Sequence, residues 1–437
     1  MAPARARQRW SNWGSTCSCS PKGIEYPAGE VEIAEIVRAA ATAGESVKVA
    51  GTGHSFTDIA CTDGRLIKLD RYAGVLEVDR QRATATAQAG ITIARLSNEL
   101  ARHGLAMENM GDVAYQTISG AISTATHGTG ERLRNISSQV CALSLVLADG
   151  ELLHCSPTVE REIFTAARVG MGALGVISTV TLQCVPAFNL QSVEEPRRLD
   201  DVLETFDELS AANDHFEFFW FPHTDWVQAI VNNRTDEPAR PKSRMRAYID
   251  DIVLENHVFG VMQRAGRMRS SWIPALARMT ARTMSRSEVI DRSDRVFANE
   301  RLVRFAEMEY AIPRPGLLAA VREVRAMIER RALRVSFPVE VRTVAADDIP
   351  LSPASGRDTG YIAVHVYWRA EYETFFREVE AIMNAFDGRP HWGKLHHQTA
   401  ETLRPRYPLW DSFIAVRDRL DPERRFGNAY LDRVLGA

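Results

Sequence analysis

Val49-Ala50-Gly51-Thr52-Gly53-His54-Ser55-Phe56-Thr57-Asp58 is the stretch on which the reading of the fold turns. Val47 and Val49 alternate as a short strand, and that strand runs into two glycines one residue apart. Glycines at a strand end let the backbone turn so that several N–H groups point one way, which suits a phosphate. The third glycine of a dinucleotide fingerprint is missing, and the stretch follows a helix-strand pair instead of opening the first βαβ unit. On spacing alone, a plain tight turn explains the glycines equally well.

The surroundings weigh in favour of a ligand. Val31, Ile33, Ile36, Val37 and Ala40 keep helical spacing, so a helix is expected over 30–43, ended by Gly44. Strands are expected at 66–70, 75–78 and 84–89, a helix at 93–102, and strands at 143–147 and 176–185 before Pro186. A second small-residue cluster runs from Gly111-Asp112 through Gln116 to Ser119-Gly120-Ala121-Ile122-Ser123-Thr124-Ala125-Thr126-His127-Gly128-Thr129-Gly130. Small residues there let a flat ring or phosphate chain lie against backbone, with hydroxyls as short-range donors. A third cluster, Gly170-Met171-Gly172-Ala173-Leu174-Gly175, precedes the last strand. Three such clusters in one domain point to a large bound cofactor.

At 437 residues the chain is long enough for two or three domains. Its net charge of −3 gives no global reason to expect nucleic acid or an anionic membrane. Apolar runs are broken well before a bilayer-spanning length, and no apolar core follows the arginine-rich N-terminus, so neither a membrane span nor a signal peptide is expected. Cys17, Cys19, Cys61, Cys141, Cys155 and Cys184 form no C-x-x-C pair, which reads as reduced thiols in a cytoplasmic protein. Residues 188–300 differ in texture, with aromatics at 215–222 and many arginines over 264–295. That arginine segment has an apolar side in Trp272, Ile273, Leu276 and Met279; a solvated helix face is preferred over a membrane-surface one. Strands are expected again at 301–310, 334–344 and 361–367, and no repeat or low-complexity linker separates the parts.

Taken together, Gly51–Asp58 with the following Ile59-Ala60-Cys61-Thr62-Asp63-Gly64, the 119–130 cluster and 172–177 resemble the FAD-binding domain of the vanillyl-alcohol oxidase flavoprotein superfamily. Within it, Phe337-Pro338-Val339-Glu340-Val341-Arg342, Arg389-Pro390-His391-Trp392-Gly393-Lys394 and Arg417-Asp418-Arg419-Leu420-Asp421-Pro422 are similar to motifs of the sugar-1,4-lactone oxidoreductases. The resemblance spans nearly the whole chain and is weakest over 225–300. It implies an α+β fold: a two-subdomain FAD-binding domain of the vanillyl-alcohol oxidase type over 1–187, an α+β substrate (cap) domain over 188–410, and a C-terminal segment, 411–437, returning to the FAD domain.

The same resemblance implies roles. His54 is where many members bond the flavin 8α-methyl group to a histidine. Gly51, Thr52, Gly53, Ser55 and Phe56 are expected near the pyrophosphate, and Ser119, Gly120, Ser123, Thr124, Thr126 and His127 near the isoalloxazine and phosphates. Val176 and Ile177 are expected to touch the cofactor from the third cluster. Glu340 and Arg342 lie two apart on an expected strand and so face one side of the sheet. By themselves they read as a structural ion pair; by the resemblance, Glu340 holds the substrate hydroxyl, while Arg342 and Lys394 supply positive charge beside the flavin. His365 is a candidate substrate contact, with a packed core histidine nearly as good a reading. His391, His396 and His397 invite a zinc site, but no convincing further ligand accompanies them, and no metal is expected.

The implied activity is FAD-dependent oxidation of an aldono-1,4-lactone at C2, with oxygen or a cytochrome or quinone as acceptor. Arg342-Thr343-Val344-Ala345-Ala346-Asp347-Asp348 is also similar to bacterial alditol oxidases, which makes polyol oxidation the alternative. A flavin-binding scaffold and a metal-dependent hydrolase are the readings from other classes.

Overall fold

The computed structural model describes residues 8–243, 259–298 and 302–437. The first seven residues and the start of the strand expected at 301–310 therefore lie outside the described part.

Two parallel pairings organise the N-terminal region. Strands β1 (Gly23–Glu25), β2 (Val47–Val49) and β3 (Arg65–Ile67) form a small parallel sheet in the order β1-β3-β2. Helix α1 (Glu30–Thr42) crosses between β1 and β2, burying Ile33, Val37 and Ala40, as its apolar spacing predicts. A second, antiparallel sheet contains β4 (Val75–Asp79), β5 (Thr84–Gln88), β6 (Val140–Val146), β7 (Leu152–Cys155) and β8 (Val176–Gln183), in the order β7-β6-β8-β5-β4. Helix α2 (Ile93–Arg102) starts where Thr92 caps the Arg95 N–H. The short α3 (Ile118–Ser123) starts similarly, with Thr117 accepting from Gly120 N–H. Beyond β8 the chain does not continue as one strand: Val185–Pro186 pairs separately with Leu105–Ala106.

The cap is built on one eight-stranded antiparallel sheet. Its strands are β9 (Asn189–Arg198), β10 (His215–Trp220), β11 (Trp226–Thr235), β12 (Ser287–Arg292), β13 (Phe305–Pro313), β14 (Val339–Val344), β15 (Thr359–Tyr367) and β16 (Arg389–Pro390), ordered β12-β9-β11-β10-β14-β15-β13-β16. The strand expected at 334–344 begins only at Val339. Pro338, immediately before it, has no N–H for a ladder.

Strand alternation gives this sheet two unlike faces. Phe216, Phe218, Met308, Tyr310, Val339, Val341, Ile362 and Val364 point one way and form a core with helices α4 (Leu199–Ala212), α7 (Leu317–Arg330) and α8 (Glu373–Ala385). The intervening residues point the other way: Glu307 and Glu309 on β13, Glu340 and Arg342 on β14, and Tyr361 and His365 on β15. All six are buried. Between α4 and α7, an arginine-rich hairpin comprises α5 (Phe259–Met268) and α6 (Ile273–Thr283).

A separate core holds the two N-terminal sheets together, and the C-terminal helices α9 (Trp410–Leu420) and α10 (Ala429–Leu435) belong to it through Phe413, Val416, Leu431 and Val434. Trp392, Leu403 and Tyr407 also lie in that core, upstream of residue 411. Asn428 fastens the C-terminus to the chain after the Gly51–Asp58 stretch: its Nδ2 lies within 3.1 Å of the carbonyls of Asp58, Ile59 and Cys61.

Candidate active site and cofactor cleft

The three small-residue clusters converge on one open cleft. Gly51 to Ser55 form one wall, Ser119, Gly120, Ser123 and Thr124 of α3 and its end another, and Gly172, Gly175 and Ile177 the floor. The backbone can approach a ligand closely here. A Cβ on Gly51 would sit 2.4 Å from Thr117 Oγ1, and Gly53 has φ +81°. Gln116 also lines the cleft, and its buried Oε1 has no hydrogen-bond partner among the described residues. Lys48, buried beneath, donates to the Phe426 carbonyl at 3.1 Å; burial, then Arg417, lowers its ammonium to about 7. An elongated ligand carrying negative charge would therefore find N–H donors, an unpaired amide oxygen and an amine able to take up a proton. These are features that FAD fits.

Four residues expected at the cofactor do not line this cleft. Val176 is fully buried in β8, and only its neighbour Ile177 reaches the cleft, since adjacent strand residues point to opposite faces. Thr126 turns its hydroxyl into a buried position without a hydrogen-bond partner. Phe56 packs its ring against Trp13 and Phe305. His127 belongs to the charged cluster of the cap.

An N-terminal strap that carries no sequence signal secures the His54 loop from outside. Trp13 N–H donates to Gly53 O at 2.8 Å, Asn12 Nδ2 to Ser55 O at 2.9 Å, and Thr16 Oγ1 to Phe56 O at 2.5 Å. The Trp13 ring stacks on His54, with centroids 5.5 Å apart. Burial, and secondarily Lys394, lowers the His54 imidazole to about 4. At neutral pH it therefore keeps a ring lone pair.

The His391–Lys394 turn meets this loop directly. Phe56 N–H donates to Gly393 O at 2.7 Å, and Lys394 Nζ lies 5.3 Å from the centre of the Phe56 ring. Trp392 is held by a 2.6 Å bond from its Nε1 to Leu351 O. The three nearby histidines part company. His391 Nδ1 accepts from Gly393 N–H at 3.0 Å, His396 Nε2 lies 3.0 Å from Tyr430 OH, and His397 Nδ1 lies 2.8 Å from Glu380.

Glu340, Arg342, Lys394 and His365 do come together, but with partners that sequence reasoning missed. Arg342 Nε donates to Glu217 at 2.6 Å; its Nη2 contacts Glu340 and lies 3.5 Å from Asp112. The Glu340 contact lacks hydrogen-bond geometry, leaving Glu340 Oε1 unsatisfied. Lys394 pairs with Glu307, His365 Nε2 lies 3.5 Å from Glu307 and 4.0 Å from Glu340, and His127 Nε2 lies 3.3 Å from Glu309. The signal for Glu307 and Glu309 was present: acids at alternate positions of an otherwise apolar strand, Phe305-Ala306-Glu307-Met308-Glu309-Tyr310.

Five carboxylates thus surround two permanent cations. Burial is the largest influence on Glu340 and pushes its carboxyl well above the usual range; Arg342 opposes this, while Asp112, Glu217 and Glu309 reinforce it. Burial also works against ionised Glu309, but His127 and Lys394 carry it well below the usual range. Burial opposes the Lys394 charge, and Glu307 with Glu309 overcomes it and raises its pKa. His127–Glu309–His391 and Glu307–Glu340–His365 each gather ligand-type atoms within 4.8 Å of one another. In both groups the acids already face protein cations or imidazoles. His391 moreover accepts a backbone N–H on Nδ1, so its neutral form carries the proton on Nε2 and offers no lone pair there.

The sequence profile of the D-arabinono-1,4-lactone oxidase family matches residues 180–434, and that of an FAD-binding domain matches residues 21–156. An L-gulono-1,4-lactone dehydrogenase of Mycobacterium tuberculosis is 48% identical, over 98% of this chain and 99% of that one. An L-gulonolactone oxidase of Bos taurus is 36% identical over 98% of both, and an alditol oxidase of Streptomyces 31% over 97% and 98%. Among solved structures, a solvent-stable cholesterol oxidase superposes with TM-score 0.85 at 19% identity, covering 99% of this chain and 98% of that one, a likeness of fold.

The buried, neutral His391 has a measurable consequence. Burial, moderated by Glu309 and reinforced by Lys394, lowers its imidazole from 6.5 to about 3. The unfolded chain takes up that proton first, so this group drains stability as pH falls from 6.5 towards 3. His391→Asn keeps an acceptor for Gly393 N–H and removes the titration. The thermal midpoint of the variant should fall less between neutral and mildly acidic pH than that of the parent protein; an equal fall would show that His391 does not contribute.

Proposed function

The chain belongs to the D-arabinono-1,4-lactone oxidase family of FAD-dependent sugar-lactone oxidoreductases, and from that premise we propose that it oxidises an aldono-1,4-lactone of the gulonolactone type at C2. The carrying observation is that Lys394, beside the Phe56 ring of the His54 loop, pairs with Glu307, and that His365 joins Glu307 to Glu340 and its partner Arg342.

Bound FAD supplies a hydride acceptor for the C2 hydrogen. Gly51, Gly53 and Ser55 would hold its phosphates, α3 would support its ring, and His54 would bond its 8α-methyl carbon. The neutral imidazole supports the covalent reading, because bond formation uses a ring nitrogen lone pair. The protein's own part in the chemistry is orientation and proton handling. Oxidation at C2 removes a hydride from carbon and a proton from the hydroxyl, leaving a carbonyl that enolises beside the lactone carbonyl to give an ascorbate-type product. Glu340 faces the site with its carboxyl raised towards neutrality, which suits a group exchanging a proton with the substrate hydroxyl. Arg342 and Lys394 keep positive charge where negative charge accumulates as hydride leaves, a preorganised electrostatic contribution. His365, between Glu307 and Glu340, can pass a proton onward. The excess of carboxylates favours a neutral lactone ring over its hydrolysed aldonate, which would add another negative charge to a buried acidic site.

Polyol oxidation uses similar polar groups and remains the alternative. A flexible alditol must be held extended, whereas the face beside the site is short and aromatic, with Phe305 and Phe337 packed around His365 at centroid distances of 5.0 and 6.2 Å.

Three outcomes check this reading. Acid precipitation should leave yellow flavin in the protein pellet, and His54→Ala should release it to the supernatant; flavin released entirely from the parent protein would refute the covalent bond. In the absence of oxygen, gulono-1,4-lactone should bleach the oxidised flavin much faster than xylitol or sorbitol does, and the reverse order would assign the enzyme to polyols. Lys394→Ala should slow the lactone-driven bleaching by about 10²–10³-fold with flavin content retained; a near-normal rate would remove Lys394 from the chemistry.

A further inference from the structure

The arginine-rich hairpin of α5 and α6 is unlike the rest of the surface. Between residues 259 and 287 there are six arginines, at 264, 267, 269, 278, 282 and 286, with no aspartate or glutamate, in a chain whose net charge is −3. All six are exposed. The hairpin is seated by a narrow seam: within its two helices only Gly260, Gln263, Gly266 and Ile273 are buried. Gln263 Nε2 donates to Ser336 O at 3.0 Å, and Ser336 Oγ donates back to Gln263 Oε1 at 2.6 Å.

Ile273 turns into that seam, but four other large apolar residues of the hairpin are exposed. Val261 is 59% exposed, Met268 87%, Trp272 47% and Met279 51%. Val261 and Met268 lie seven apart on α5, two turns along one stripe, and Trp272 and Met279 repeat that spacing along the turn and α6. Met268 and Trp272 flank the tip, Arg269-Ser270-Ser271, where the Arg269 guanidinium lies 5.6 Å from the centre of the Trp272 ring. A solvated helix face, the reading favoured from sequence, places its large apolar groups inward; here Met268 and Trp272 are exposed beside the turn and Val261 and Met279 along the two helices. Neither helix is long and apolar enough to cross a bilayer.

We propose that this hairpin docks the protein on an anionic phospholipid surface, with Met268 and Trp272 entering the headgroup–acyl boundary and Arg264, Arg267, Arg269, Arg278 and Arg282 meeting lipid phosphates, while Arg286 pairs with Glu288 and Glu195 of the protein itself. Charge complementarity selects the partner: an acid-free hairpin carrying five such guanidiniums favours negative charge opposite it, and exposed methionine and tryptophan side chains favour a medium that yields to them. A flat acidic protein face supplies the first and not the second. The docked face also lies close to the charged site. Phe259, Ile273 and Leu276 line a small apolar cavity behind the hairpin together with Phe337, whose ring packs against His365.

The test is co-sedimentation of the full-length flavoprotein with vesicles, read beside lactone-driven flavin bleaching. The protein should pellet at low salt with vesicles of phosphatidylcholine and phosphatidylglycerol, should stay in solution with phosphatidylcholine alone, and should be released at high salt. Replacing Arg264, Arg267 and Arg269 by glutamine should lower partitioning on the order of a hundredfold, from about fivefold per arginine. Met268→Ser with Trp272→Ser should also weaken it severalfold, and both variants should bleach at the parent rate in vesicle-free solution, which shows that they fold. Failure of the parent protein to pellet with anionic vesicles, or pelleting unchanged in either folded variant, would overturn the proposal; an acidic protein surface would then be the occupant to seek.

Discussion

Crowding four glutamates, three of them buried, onto one face of a β-sheet is the constraint around which the site is organised. Glu217, Glu307, Glu309 and Glu340 project from three strands of an antiparallel sheet whose opposite face packs into an apolar core. Moving an unpaired carboxylate out of water is prohibitive, so each must find a cation, a donor or a proton. Arg342 serves Glu217, Lys394 serves Glu307, and His127 serves Glu309. Glu340 is left with the poorest partner, since its Arg342 contact is not a well-formed hydrogen bond. Burial, reinforced by Asp112, Glu217 and Glu309, raises its pKa in spite of Arg342.

This arrangement makes the two halves of the molecule mutually dependent. Lys394, which neutralises Glu307 of the cap sheet, rides on a turn whose Trp392 is fully buried in the core of the FAD-binding half. The same turn accepts the Phe56 N–H and so fixes the cofactor loop. The C-terminal helix locks this arrangement, because Tyr430 OH donates to Trp392 O at 3.1 Å while Asn428 holds the chain after the loop. A cofactor cleft on one half and a charged sheet on the other are therefore registered by a few buried bonds, without a hinge between them.

Much of this was legible in the sequence where the signal is local. Helix α1 and helix α2 follow from apolar spacing, and α2 occupies the residues expected for it. The cleft gathers Gly51–Ser55, α3 and the third glycine cluster because small residues are needed wherever backbone must approach a ligand. The resemblance supplied Glu340, Arg342 and Lys394. It did not supply Glu217, Glu307 or Glu309, whose importance depends on strands far apart in sequence lying side by side. The strap of Asn12, Trp13 and Thr16 was equally invisible, because backbone hydrogen bonds leave no residue pattern. Ile177 lines the cleft and Val176 does not, because one step along a strand turns a side chain to the other face.

Lys394 shows how one charge can serve both halves of the reaction. Beside His54 it adds to the effect of burial in keeping the imidazole neutral, the state from which a histidine nitrogen can bond to carbon. Beside Glu307 and Glu309 its own charge is secured despite burial, so it persists at the pH where the enzyme works. A lysine held only by solvent would screen its field and lose much of its influence on either neighbour; a buried lysine without the two glutamates would shed its proton. The acidic sheet face is thus what allows a cation to remain beside the His54 loop. Burial and the same excess of acid together raise the Glu340 carboxyl, so the strand pattern that fixes the positive charge also acts on the carboxyl near it.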